Sequence, residues 1–137
     1  MRLVRRRKAT SAEIRLDQLR LARVGAPTLR ELLPNAAQVW VELAFDADVR
    51  LAQAARVFTI FPAAQAYFVY ACPFGDCDGM FDLNEPVFAM LRAHSCQTTG
   101  ALHCGGHKSR RADPGPPCGL GMSYAVAVSY GPGQRAA

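Results

Sequence analysis

The sequence contains no run approaching the roughly 18 consecutive apolar residues of a membrane-spanning helix. Its opening, MRLVRRRKATSAEIR, puts positive charge in front of no apolar stretch of the about seven residues a secretory signal needs. Several catalytic signatures are missing as well: the H-E-x-x-H zinc helix, the G-x-x-x-x-G-K-[ST] phosphate loop, and the H-x-E with P-C-x-x-C pattern of zinc deaminases. No C-x-x-C redox motif occurs either. These absences point to a cytoplasmic protein with no membrane partner, and to binding ahead of catalysis.

What is present is the composition of a folded domain. Half of the 137 residues are hydrophobic and a fifth are charged, enough apolar material for one core and too short a chain for two. The formal charge of +5 is unevenly spread. Residues 1–30 carry nine Lys or Arg against Glu13 and Asp17, a net +7, while the rest of the chain is at −2. The basicity therefore belongs to an arm over residues 1–25, read as flexible with a partly helical stretch from Ser11. A single domain is expected over 26–131 and a disordered tail over 132–137. In the arm, Arg5, Arg6, Arg7 and Lys8 form a cluster suited to neutralising phosphates on RNA or DNA.

Within the domain the hydrophobic period sets the elements. PTLRELLP combines a Thr28/Glu31 capping-box spacing with Pro34 as a stop, which predicts a short helix. QVWVELAF alternates Val39, Val41, Leu43 and Phe45 against Trp40, Glu42 and Ala44, the period of a strand with one buried face. RVFTIFP and AYFVYACP read as further strands, and GMFDL as the return of a hairpin. NEPVFAMLRAH is the main helix, with Asn84 placed to cap it. TTGALHC and MSYAVAVSY complete the set, the latter alternating Met122, Tyr124, Val126, Val128 and Tyr130 against small residues. The fold class is α+β and β-rich: an antiparallel sheet of about five short strands with one main helix.

Five cysteines are too many to be incidental in a chain of this size, and their odd number argues against complete pairing as disulfides. Four of them sit at the ends of expected strands: Cys72 and Cys77 in CPFGDC, then Cys104 and Cys118 bracketing the loop GGHKSRRADPGPP. Two hairpin tips that each offer two thiolates can close a tetrahedral S4 site, the preference of structural zinc. Such a site carries a net charge of −2, which Lys108, Arg110 and Arg111 in the intervening loop are placed to offset; the same three cations also suit a nucleic-acid contact. His103 and His107 flank Cys104 as alternative ligands in its place. Cys96 is the odd thiol, read as a small buried or partly exposed side chain.

This arrangement resembles a zinc ribbon over about residues 65–130, with CPFGDC as a lengthened first knuckle and Pro73 following its first cysteine. It departs from that family in its widely spaced second cysteine pair and in the helix between its halves. The resemblance implies structural zinc, and partners among nucleic acids or ribosome-associated assemblies. A protein–protein module, or a thiol redox or metal-handling protein using Cys72 and Cys77, is the alternative. An iron–sulfur cluster lacks its usual three closely spaced cysteines. Asp76, Asp78, Asp82 and Glu85 crowd the first tip, where turn formation and the helix start account for them without catalysis.

Overall fold

A computed structural model of the chain describes residues 9–46, 55–108 and 115–131. In chain order its elements are α1 (Ser11–Gly25), α2 (Leu29–Leu32), β1 (Ala36–Phe45), β2 (Ala55–Ile60), β3 (Val69–Ala71), β4 (Met80–Asp82), α3 (Asn84–Arg92), β5 (Gln97–His103) and β6 (Gly121–Tyr130). The fold is α+β with antiparallel sheets, as expected. Among the described residues the strands number six and divide between a four-stranded sheet of order β2-β1-β6-β5 and a two-stranded hairpin, β3-β4.

The alternation in β1 explains why it lies at the centre. Val39, Val41, Leu43 and Phe45 are all buried, while Trp40 on the opposite face is 37% exposed. Burying each of these side chains contributes about 1.5–3 kcal/mol. A slip of one residue would turn the whole set outward, so the register is pinned. β6 is paired along its length, Val41 opposite Val126 and Val39 opposite Val128, with Met122, Val126 and Val128 buried. Its small residues Ser123 and Ala125 face outward and are exposed, so the low bulk of that face marks an open surface of a central strand.

Against the inner face lie the β3-β4 hairpin and α3, contributing Phe68, Tyr70, Phe81, Leu83, Val87, Met90 and Leu91 to one apolar cluster. The ring of Phe45 meets Phe81 at 5.9 Å, and Phe68 meets Phe88 edge-on at the same separation. α2 carries the expected capping box between Thr28 and Glu31 and buries Leu29 completely. Its start is tied to the neighbouring loop by Leu29 N–H donating to Ala64 O at 2.8 Å.

One local expectation changes. Asn84 does not cap α3: Leu83 occupies the cap position, and Asn84 Oδ1 instead accepts the Phe68 N–H at 2.8 Å. The cause is Leu83, which is fully buried and extends the hairpin ladder through its N–H to Phe68 O, turning Asn84 back toward the sheet. Asp82 Oδ1 serves the helix start by accepting from Asn84 N. The helical stretch expected from Ser11 is present. Residues 11–25 are a continuous helix, begun by Thr10, whose side chain accepts the Glu13 N–H. That helix lies on the domain through Ala12, Arg15 and Leu19, one face at i, i+3 and i+7. Among the described residues no helix is long and apolar enough to cross a membrane.

Candidate metal centre

Strand ends deliver the thiols. Cys72 leaves β3 and Cys77 sits in the turn that returns to β4; Cys104 leaves β5 and Cys118 leads into β6. Backbone pairs close each tip, Cys72 N–H to Gly79 O at 3.1 Å and Cys104 N–H to Leu120 O at 2.8 Å. The tips are then joined to each other by an antiparallel bridge between Cys77 and Lys108 and by Asp78 N–H to His107 O at 3.1 Å. Both ends of the cluster are thus set by main-chain hydrogen bonds, leaving little for side-chain rotation to decide.

The sulfurs of Cys72, Cys77, Cys104 and Cys118 all lie within 4.8 Å of one another, and the first three residues are buried. Cys77 Sγ and Cys104 Sγ are 3.6 Å apart, and Cys72 Sγ and Cys118 Sγ 3.8 Å. A metal–sulfur bond of about 2.3 Å in a regular tetrahedron places sulfurs about 3.8 Å from one another, so these edges have the length a tetrathiolate site requires. All five cysteines are free thiols.

Each sulfur also accepts a main-chain N–H from the residue two positions on. Gly79 N donates to Cys77 Sγ at 3.3 Å and Gly106 N to Cys104 Sγ at 3.4 Å. Phe74 does the same for Cys72 and Leu120 for Cys118. Four amide dipoles aimed at four sulfurs favour thiolate, and they are the outer-shell support a metal-bound cysteine uses. Burial works in the other direction. It pushes the Cys72 thiol well above its ordinary range and Cys77 up to about 11, despite the Phe74 and Gly79 amides. At Cys118 burial also disfavours charge, yet the Leu120 amide and the hydrogen bonds from the other three cysteines bring its pKa below the ordinary value. Cys118 therefore ionises more readily than Cys72 or Cys77, and seating a dication in the cluster displaces protons from those two.

Neither His103 nor His107 belongs to the cluster; the His107 main chain instead clamps Asp78, whose Oδ1 accepts the His107 N–H at 2.7 Å. That contact first, with smaller help from Ser11, the His107 side chain and Arg15, holds the Asp78 carboxyl below its usual value. Asp78 thus does structural work in the tip and Asp82 at the start of α3, in line with the turn and helix-start roles expected of them. Cys96 stands apart and exposed at the start of β5. Lys108 is half-buried with its Nζ 4.5 Å above the Phe74 ring, which places one loop cation beside the first tip. Arg5, Arg6, Arg7, Lys8, Arg110 and Arg111 lie outside the described residues.

One residue of the site escaped the sequence. Arg15, in α1, is 5% exposed, and its Nη1 donates to the carbonyl of Gly79, inside the first tip. The T-x-x-E spacing of Thr10 and Glu13 marks the helix that carries it.

Fold and site together describe a mixed α+β domain with a four-cysteine cluster of metal-binding geometry. Compared with protein families, characterised proteins and solved structures, the chain matches none.

Proposed function

We infer that this is a small metal-binding module in which Cys72, Cys77, Cys104 and Cys118 hold zinc as a closed, structural S4 site of zinc-ribbon type. The observation that carries this reading is the pair of sulfur–sulfur edges, 3.6 and 3.8 Å, each sulfur backed by an amide from its i+2 residue. Thiolate ligands select zinc over harder cations, and four of them leave no open position for a substrate. The ion would join the β3-β4 hairpin to the β5-β6 hairpin, so its binding free energy adds directly to folding. The work of the module is then binding rather than catalysis, in a reducing, cytoplasmic setting that keeps the thiols free.

RNA or DNA is the favoured partner, supported by the net +7 over residues 1–30 and by Lys108 at the edge of the centre. A protein partner is the alternative. A redox role for Cys72 with Cys77 has less support, since each of these sulfurs also has a thiol of the other tip within 3.8 Å.

Cobalt(II) substitution tests the centre. Four thiolates in a tetrahedral field give intense visible ligand-field bands and sulfur-to-metal charge-transfer bands, which added zinc should bleach at one equivalent. Weak octahedral bands would overturn the assignment.

A further inference from the structure

We propose that Arg15 is the built-in counter-charge of the four-cysteine centre, and that through it a bound metal fastens α1 to the rest of the domain. The inference rests on the metal-binding reading of that centre.

The starting point is a cation in an unusual place. Arg15 is the one charged side chain buried among the described residues, and its Nε has no hydrogen-bond partner there. A buried guanidinium with an incomplete set of acceptors is unfavourable unless negative charge lies close by. Asp78 supplies part of it, but that carboxylate is half in solvent and is taken up first by the His107 amide. Four neutral thiols would add nothing. Four thiolates around a dication add a net charge of −2, and they do so one residue away from the guanidinium.

The path is short. Arg15 donates to the Gly79 carbonyl, the Gly79 amide donates to Cys77 Sγ, and Cys104 Sγ lies against the Gly79 α-carbon, where a Cβ would overlap it. Arg15 thus braces the residue that touches two of the four sulfurs, and its charge has the sign that stabilises them as thiolates. It acts through Gly79 as a positioning residue and as a fixed field, not as a ligand.

The same contact matters to the helix. Of the 15 residues of α1 only Ala12, Arg15 and Leu19 are buried, whereas Ile14, Leu16, Leu21 and Val24 are 48–71% exposed. Its other anchor is Arg23, whose Nη2 donates to Val69 O at 2.8 Å while the guanidinium lies over the Tyr67 and Tyr70 rings. With so little apolar burial, the seat of α1 depends on polar contacts, those of its two arginines and of Ser11 with Asp78, and the N-terminal arginine is the cation that faces the centre. Loss of the metal removes the charge that Arg15 answers, and the end of α1 that continues into Arg5–Lys8 is released.

The test uses the full chain, zinc-loaded and chelated, followed by amide hydrogen exchange, together with zinc affinity by competition against a chromophoric chelator. Arg15→Met keeps the length and apolar bulk without the charge; Arg15→Lys keeps the charge. The expected result is about 10- to 100-fold weaker zinc binding in Arg15→Met, substantially restored in Arg15→Lys. Amides of α1 should lose protection on chelation, and in zinc-loaded Arg15→Met, while those of β1 and β6 stay protected in the zinc-loaded variant. Unchanged zinc affinity in Arg15→Met, or α1 equally protected with and without bound zinc, overturns this inference alone. No zinc binding by the wild-type chain overturns the reading of the centre and this inference with it.

Discussion

Gly79 and Gly106 face each other across the centre with no side chain between them. A Cβ on Gly79 would run into Cys104 Sγ and the Gly106 backbone, and a Cβ on Gly106 into the Gly79 backbone and Asp78. Their bareness lets the two tips close until Cys77 Sγ and Cys104 Sγ stand 3.6 Å apart. Gly79→Ala and Gly106→Ala should therefore each weaken zinc binding by about 10-fold or more and lower stability by about 1–3 kcal/mol through overpacking. Gly75, in the same tip as Gly79, and Gly105, next to Gly106, have open space where a Cβ would stand. Alanine at either should stay within about 0.5 kcal/mol in urea melts, which makes them the matched controls.

Cys77 is fully buried, so Cys77→Ser removes a ligand where water cannot replace it. Zinc content should drop from about one per chain toward zero, and because the metal's binding free energy belongs to folding, the melting temperature should fall with it. Cys96→Ser, at an exposed thiol outside the cluster, should change neither.

Tyr130 closes the far end of the sheet, its hydroxyl donating to Ser95 O at 3.0 Å. Burial first, and then the neighbouring Cys96, raise its pKa above the ordinary phenol value. A raised folded-state pKa means stability that is complete below the unfolded value near 10 and lost as pH rises through the folded one. Denaturation at rising pH should show a decline that Tyr130→Phe flattens. At neutral pH the same variant should cost about 0.5–1.5 kcal/mol for the lost hydrogen bond.

If the basic segment contacts phosphates, replacing Arg5, Arg6, Arg7 and Lys8 with Gln should reduce the slope of log affinity against log salt. The expected reduction is roughly 0.7 per lost contact on single strands and 0.9 on duplex DNA. Fluorescence anisotropy with a labelled oligonucleotide reads it. An unchanged slope would point to a protein partner instead.

The features legible in the sequence share a physical cause. Val39 to Phe45 and Met122 to Tyr130 alternate because a sheet with one covered face enforces a period of two, and both stretches are strands at the expected places. The cysteines can be grouped because they stand in two glycine-containing tips at the ends of strands. α1 was harder to read because its visible apolar residues, Ile14, Leu16 and Leu21, are the ones left exposed. Its buried face is Ala12, Arg15 and Leu19, and an arginine breaks the hydrophobic count even where it is the residue that docks. The capping expected of Asn84 fails for a related reason, since nothing local reveals that the Phe68 amide needs its side chain. Long-range polar partners leave no periodic trace.

Metal content of the natively purified chain, by elemental mass spectrometry with a count of alkylatable thiols before and after chelation, tests the central claim most directly. The account predicts one zinc per chain, Cys96 alone reactive at the outset, and four further thiols exposed by the chelator. A metal-free protein with all five thiols reactive from the start would contradict it.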